Sequence, residues 1–276
     1  MSSSSDTAAS KPVTREEIYA MLEYFGVRHD DCVMVHTSLR RIGEIEGRAE
    51  AMLDAFCSYL SDGLFLVPTH TWGTVCPQNP LFDVRRTVPS IGVFPQIAAR
   101  EAFLRENAVR SLHPTHSIAA FGRRAKEYVI GEENRKTRTG PGSAWARLYD
   151  ENAKILLLGV GLDRNTYMHV IEEELYGESF IRHRVYNPTV IRADGSRFVD
   201  YGYSEEGPWS SFFFPNFERP FLDLGILRIG KLGNAQVRGM EARRIHDAMH
   251  LICRNAGYDV CGHTHRIPEK FYKTIG

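Results

Sequence analysis

His169 and Glu172 stand three residues apart in KILLLGVGLDRNTYMHVIEEELYG, from Lys154 to Gly177, with Thr166 just ahead of them. On a helix that spacing puts an imidazole and a carboxylate on one face. The acid can then orient the ring and stabilise it once protonated, while the ring takes a proton from a substrate. The same segment says how the pair would be placed. Ile155 to Leu158 with Val160 reads as a buried strand closed by Gly159 and Gly161. Met168, Ile171 and Leu175 mark one face of a following helix, with Asn165 or Thr166 as its cap and Gly177 as its end. His169 falls in the first turn, where the positive end of the helix dipole disfavours imidazolium and keeps the ring a neutral base. Ligands of open α/β sheets collect outside the carboxyl ends of strands, where this loop lies. The alternative is a solvated histidine beside a carboxylate that merely complements the dipole.

Two further strands end in the same way. Cys32 to Val35 runs into His36, Thr37, Ser38 and Leu39, and Leu64 to Val67 runs into PTHTW with His70. In RSLHPTHSIAAFG, the residues Arg110, Ser111, His113 and Ser117 can donate hydrogen bonds to a carbonyl-rich or phosphate-bearing ligand ahead of a small strand, Ser117 to Phe121. Gly140, Gly142 and Ser143 in TGPGSAW form a flexible approach to a short helix whose N-terminus could meet an anion. No GK[ST] follows, so it is not a Walker loop. A reading from another class is a metal-dependent hydrolase using some of His36, His70, His113, His116 and His169; bound zinc would separate the two. His263 and His265 in CGHTH lack a nearby carboxylate and read as a surface tail.

These loops need a scaffold, and alternating strand and helix patterns supply one. Thr14 opens a helix with a capping box to Glu17, and Ala49 to Leu60 is amphipathic. After Trp72 a proline-rich stretch reads as a loop over the sheet, a candidate lid, before helix resumes near Gly92 to Phe103. Val185 to Tyr203 contains two extended runs around Asp194-Gly195, a hairpin that would add a small antiparallel extension. The aromatic run from Trp209 to Phe217 packs beneath it or walls a pocket. With 276 residues, 43% of them apolar, the chain can bury a large core. Lys plus Arg and Asp plus Glu are 34 each, without long runs of one sign, which argues against a nucleic-acid surface and for a small-molecule partner. No apolar run approaches the roughly 18–20 residues of a membrane span, and the start lacks a signal-peptide pattern. Five scattered cysteines read as reduced packing residues. The expectation is a cytoplasmic enzyme: a disordered tail over 1–12 and one domain over 13–276.

Taken together, VHTSLRRIG, LVPTHTW, NPLFD, RSLHPTHSIAAFG, GPGSAW, LLLGVGLDRNTYMHVIEE and KLGNAQVR occur in an order that resembles the aminoglycoside 3-N-acetyltransferase family. The resemblance implies an α/β fold with a mixed, largely parallel central sheet flanked by helices. It implies acetyl-CoA as cosubstrate, no metal, an amine acceptor such as an aminoglycoside, direct transfer to its 3-amino group, and antibiotic resistance as the outcome; a homodimer stays open. The family's catalytic histidine falls on His169 and its acid on Glu172; the developing oxyanion needs a donor, for which the Thr166 hydroxyl or a backbone N–H from Thr37 to Leu39 is available. Its coenzyme-contacting loops fall on His36, Thr37, Ser38 and Leu39, on Arg110, Ser111 and His113, and on Ser143. Polycationic aminoglycosides call for carboxylates, and Asp163, Glu173, Glu174, Glu178, Glu205 and Glu206 are the candidates. Another amine, in biosynthesis or detoxification, is the alternative acceptor.

Overall fold

The computed structural model describes residues 11–135, 137–176, 182–183, 186–201, 204–205, 211–257 and 266–273. Residues 1–10 of the expected tail over 1–12, the helix stop at Gly177, Trp209, and His263 and His265 lie outside them.

Among the described residues twelve strands follow in chain order: β1 (Cys32–Thr37), β2 (Leu64–Pro68), β3 (Leu81–Asp83), β4 (Ala108–Arg110), β5 (Ile118–Phe121), β6 (Lys154–Leu158), β7 (Arg182–His183), β8 (Thr189–Ile191), β9 (Arg197–Val199), β10 (Ser204–Glu205), β11 (Arg228–Leu232) and β12 (Ala235–Glu241). The central sheet has the order β11-β12-β6-β1-β2-β5-β4. It is mixed, as expected: β6, β1 and β2 are parallel, and antiparallel strands flank them on both sides. In β1, β2 and β6 successive residues enter different cores. Val33, Val35, Phe65, Val67, Leu156 and Leu158 pack on one face, under the helices Arg15–Tyr24, Arg48–Tyr59 and Val93–Leu104. Met34, Leu64, Leu66, Ile155 and Leu157 pack on the other with Trp145, Tyr167, Phe214 and the helices Met168–Tyr176 and Ala242–Ala256. A sheet covered on both faces has apolar residues at every position, which is why these strands read as continuous apolar runs.

The register decides where function can sit. β1 pairs β6 from Val33 with Lys154 to Thr37 with Leu158, so the two carboxyl ends share one edge. β2 runs in the same direction beside β1. β5 runs against β2, with Pro68 opposite Ile118, so it is the start of β5, not its end, that reaches that edge. The pairing continues outward through Thr69 N–H to Ser117 O at 2.7 Å and Thr71 N–H to Thr115 O at 2.9 Å.

The expected hairpin is present as β8 and β9 around Asp194-Gly195, whose turn is held by Ser196 N–H donating to Asp194 Oδ1 at 2.8 Å. The stretch after Trp72 is not only a loop. Leu81–Asp83 pairs in parallel with β8, making a three-stranded sheet. Three residues in a proline-rich segment carry no legible period, and the strand exists because β8 supplies its partners. Among the described residues no helix is long and apolar enough to cross a membrane.

Candidate active site

A cavity of about 520 Å³ opens at the shared strand edge, lined among others by His36, Thr37, His70, His116, Asn165, Thr166 and His169. The three strand-end histidines predicted separately are therefore neighbours. His36 continues the Met34 face of β1 towards Trp145, ring centroids 6.0 Å apart. His70 stacks on the same indole at 5.4 Å and 12°, and Trp145 Nε1–H donates to His116 O at 2.8 Å. Trp145, from GPGSAW, is thus the floor on which two imidazoles rest.

His169 is the second residue of Met168–Tyr176, in the first turn as expected. Its Nδ1 lies 2.6 Å from Glu172 Oε2, with both side chains largely buried, and its ring packs 4.7 Å from Phe214. Phe214 and Phe217 are fully buried in the core of the central sheet, not beneath the hairpin, and Phe214 backs the histidine, whereas Phe212 is exposed. Asn165 and Thr166 do not cap the helix through their side chains. Their backbone carbonyls accept from Met168 N–H and His169 N–H, which leaves both side chains to the cavity. Thr166 Oγ1 is 3.1 Å from His70 Nε2.

Burial sets the charge states. It alone holds His36 down to about 3. Burial first, then repulsion from neighbouring histidines and Arg138, holds His70 and His116 well below the usual histidine range. Burial likewise pushes the Glu172 carboxyl up to about 8; the Arg138 cation opposes that rise and Glu173 adds to it. A carboxyl out of water favours its neutral form until a cation or donor compensates.

Four lining residues also keep buried polar atoms with no protein partner: His36 Nε2, Thr37 Oγ1, His70 Nδ1, and both amide atoms of Asn165. Buried polar atoms in native proteins are normally paired, so such a cluster around a cavity marks where a polar ligand binds.

The expected coenzyme residues divide into two groups. His36 and Thr37 line the cavity, whereas Ser38 donates its backbone N–H to Leu158 O at 2.9 Å and is not available as an oxyanion donor. Arg110 is turned inward: its guanidinium donates to Thr69 O and Oγ1, Ser117 Oγ, Val84 O and Thr87 O, locking the segment after β3 to the central sheet. Ser111 Oγ accepts from Ile118 N–H, His113 Nδ1 accepts from Thr115 and His116 N–H, and Ser143 Oγ donates to Thr139 O. Buried Glu132 joins those two loops by accepting from His113 N–H and Ala144 N–H, both at 3.2 Å. Arg110, Ser111, His113 and Ser143 make these protein contacts within the loops and are not among the residues lining the cavity of about 520 Å³. Polar residues in a proline-containing loop look alike in sequence whether they face a ligand or fold the loop.

Among the expected acids whose side chains are described, which leaves out Glu178, Glu205 and Glu206, only Asp163 lines the cavity, paired with Arg164 at 3.0 Å. Glu173 accepts from Thr137 Oγ1, Thr139 Oγ1 and Thr139 N–H. Glu174 faces another helix, and Glu178 and Glu206 lie outside the described residues. Among the described residues the strand-end histidines are not part of a group of three ligand atoms within 4.8 Å of one another.

Sequence reasoning missed Arg138. It is only 8% exposed, sits between the two threonines that Glu173 clamps, and its Nε has no hydrogen-bond partner. Glu172 Oε1 is also buried without one. Only the placement of a cation next to clamped threonines, unreadable from TRTG, could have singled it out.

The chain belongs to the aminoglycoside 3-N-acetyltransferase family, whose model matches residues 34–252. Aminoglycoside N(3)-acetyltransferase VII of Streptomyces paromomycinus is 27% identical over 267 residues, 86% of this chain and 90% of that protein. Aminoglycoside N(3)-acetyltransferase III of Serratia marcescens is 32% identical over 173 residues, 58% of this chain and 64% of that protein. Among solved structures, AAC-IIIb in binary complex with CoASH has the same fold, with a TM-score of 0.71 over 86% of this chain and 94% of that chain at 23% identity.

Proposed function

We propose that the protein transfers the acetyl group of acetyl-CoA directly to the 3-amino group of an aminoglycoside, with His169 as general base. The observation that carries this reading is the 2.6 Å contact between His169 Nδ1 and Glu172 Oε2 in the cavity wall, on a chain whose family is named for that transfer. The CoASH held by AAC-IIIb supports the cosubstrate.

An amine attacks only through its lone pair. Held by Glu172, the ring would accept the amine proton at Nε2 as the nitrogen bonds to the thioester carbonyl carbon, and the carboxylate would stabilise the imidazolium. The carbon–sulfur bond then breaks, and the thiolate of coenzyme A takes up a proton from the imidazolium. The tetrahedral oxyanion needs a donor in a site shielded from water. When His70 donates its Nε2–H to Thr166 Oγ1, the threonine hydroxyl hydrogen is left to turn to that oxyanion. Thr37 Oγ1, His36 Nε2 and the Asn165 amide fit the polar groups of the coenzyme arm or the acceptor. The pairing of Asp163 with Arg164 favours a second reading, in which the acceptor is an amine of lower charge than an aminoglycoside.

His169→Ala is expected to lower kcat at least a hundredfold, in the range of about 10²–10⁴ that positioned bases contribute, with acetyl-CoA binding retained by calorimetry. Thiol release across a panel of aminoglycosides and simple amines separates the two acceptors. Turnover within a few-fold of wild type in the variant would remove the mechanism.

A further inference from the structure

A second constellation lies on the same helix as His169, facing away from the cavity. Glu174 Oε2 is 2.8 Å from His246 Nε2 and 3.0 Å from His250 Nε2. The two histidines are four residues apart on Ala242–Ala256 and so share one helix face. The three ligand atoms all lie within 4.8 Å of one another. His246 Nδ1 lies 3.0 Å from Asp247 Oδ1.

A carboxylate only accepts hydrogen bonds. His246 meets one carboxylate at each ring nitrogen, so both contacts attract only if the ring carries two protons or a cation takes the place of the proton at Nε2. The second arrangement matches a metal-binding histidine, whose far N–H is held by a carboxylate while the near nitrogen ligates. Around tetrahedral Zn²⁺, with bonds of about 2.0–2.2 Å, ligand atoms stand roughly 3.3 Å apart. The contacts of 2.8 and 3.0 Å need to widen by only a few tenths, and Glu174, 35% exposed, has room to withdraw. Two imidazoles and one carboxylate suit zinc and its neighbours in the transition series, not calcium or magnesium.

We propose that Glu174, His246 and His250 form a binding site for a divalent transition-metal ion, Zn²⁺ or a close analogue, with water completing the coordination. The ion cross-links the end of Met168–Tyr176 to Ala242–Ala256 and so braces the helix that carries His169. It is structural and takes no part in the transfer.

The test uses the full chain stripped with chelator and titrated with Zn²⁺ by calorimetry, then with Co²⁺ for its visible spectrum. Expected are about one equivalent bound, a melting temperature that rises with Zn²⁺, and a four- or five-coordinate Co²⁺ spectrum without thiolate charge-transfer bands. His246→Gln/His250→Gln should abolish all three effects while keeping the metal-free melting temperature. No binding, equal binding in the double variant, or a thiolate spectrum overturns the proposal. Should the double variant not fold, Glu174→Gln and the anomalous zinc signal of a soaked wild-type crystal decide it: density between residues 174, 246 and 250 supports the site, and its absence there refutes it.

Discussion

At the scale of single residues, the proposed mechanism turns on the protonation of Glu172. The histidine can receive a proton at Nε2 only when Nδ1–H is donated to an ionised carboxylate, and burial pushes that carboxyl up to about 8. Activity should therefore rise with pH up to about that value. Arg138 is the nearby cation that works against this rise. Its removal should move the rising limb to higher pH, and one unit of movement, about 1.4 kcal/mol, is a tenfold loss at pH 7. Arg138→Gln is thus expected to shift the limb upward while Arg138→Lys leaves it near its original place, read from kcat/KM across pH 6–10. An unshifted limb in the glutamine variant would show that Arg138 does not act through Glu172. His169 with Glu172 was legible from spacing. Arg138 was not, because its effect depends on what lies near it in space.

Among the elements, Met168–Tyr176 stands out because three consecutive acids point three ways. At about 100° per residue, Glu172 turns inward to His169, Glu173 to the threonines at 137 and 139, and Glu174 to the helix of His246. The sequence EEE announces charge but not these separate tasks. What aims the helix is the turn after β6. Gly159 has φ +70°, and a Cβ there would lie 2.9 Å from Arg41 Cβ and 3.2 Å from Ala235 Cβ. Its carbonyl also accepts from Arg41 Nη1 at 3.0 Å. Gly159→Ala is expected to destabilise the fold by about 1–3 kcal/mol through forced backbone strain, measured as a lower urea midpoint. An unchanged midpoint would mean that the turn relaxes without loss. The stop at Gly159 was readable beforehand; the crowding by Arg41 and Ala235 was not, since it joins parts of the chain more than 70 residues apart.

For the whole molecule, the buried neutral histidines set the acid limit. His36 is held at about 3, and His70 and His116 are also depressed. The unfolded chain binds protons at these sites from about pH 6.5 downward while the folded one does not, so their contribution is complete above that pH and is lost as pH falls. Glu172 acts in the other direction, because its raised value lets the folded state hold a proton that the unfolded state has lost between about 4.5 and 8. The buried Glu132 carboxyl, also raised by burial, acts the same way as Glu172, so three groups oppose two. The melting temperature is expected to fall on acidification from pH 7 to 5, each unprotonated histidine contributing a slope of up to about 1.4 kcal/mol per pH unit. Replacing His36 by Asn should flatten that slope, as followed by calorimetry at several pH values, and an equal slope would show that His36 is solvated.

Much was determined by the amino-acid sequence alone. Apolar runs of strand length, glycine stops, the Thr14–Glu17 capping box and the His169–Glu172 spacing are properties of neighbouring residues, and they set out β1, β2 and β6, their turns, the hairpin around Asp194-Gly195 and the His169–Glu172 pair. Tertiary structure alone decided that β5 brings His116 to the edge by running antiparallel, that Arg110 and Ser143 face inward, and that Glu174 meets two histidines more than 70 residues away. A side chain's partners across the sheet follow from register and burial, which depend on the whole chain folding at once and leave no local pattern.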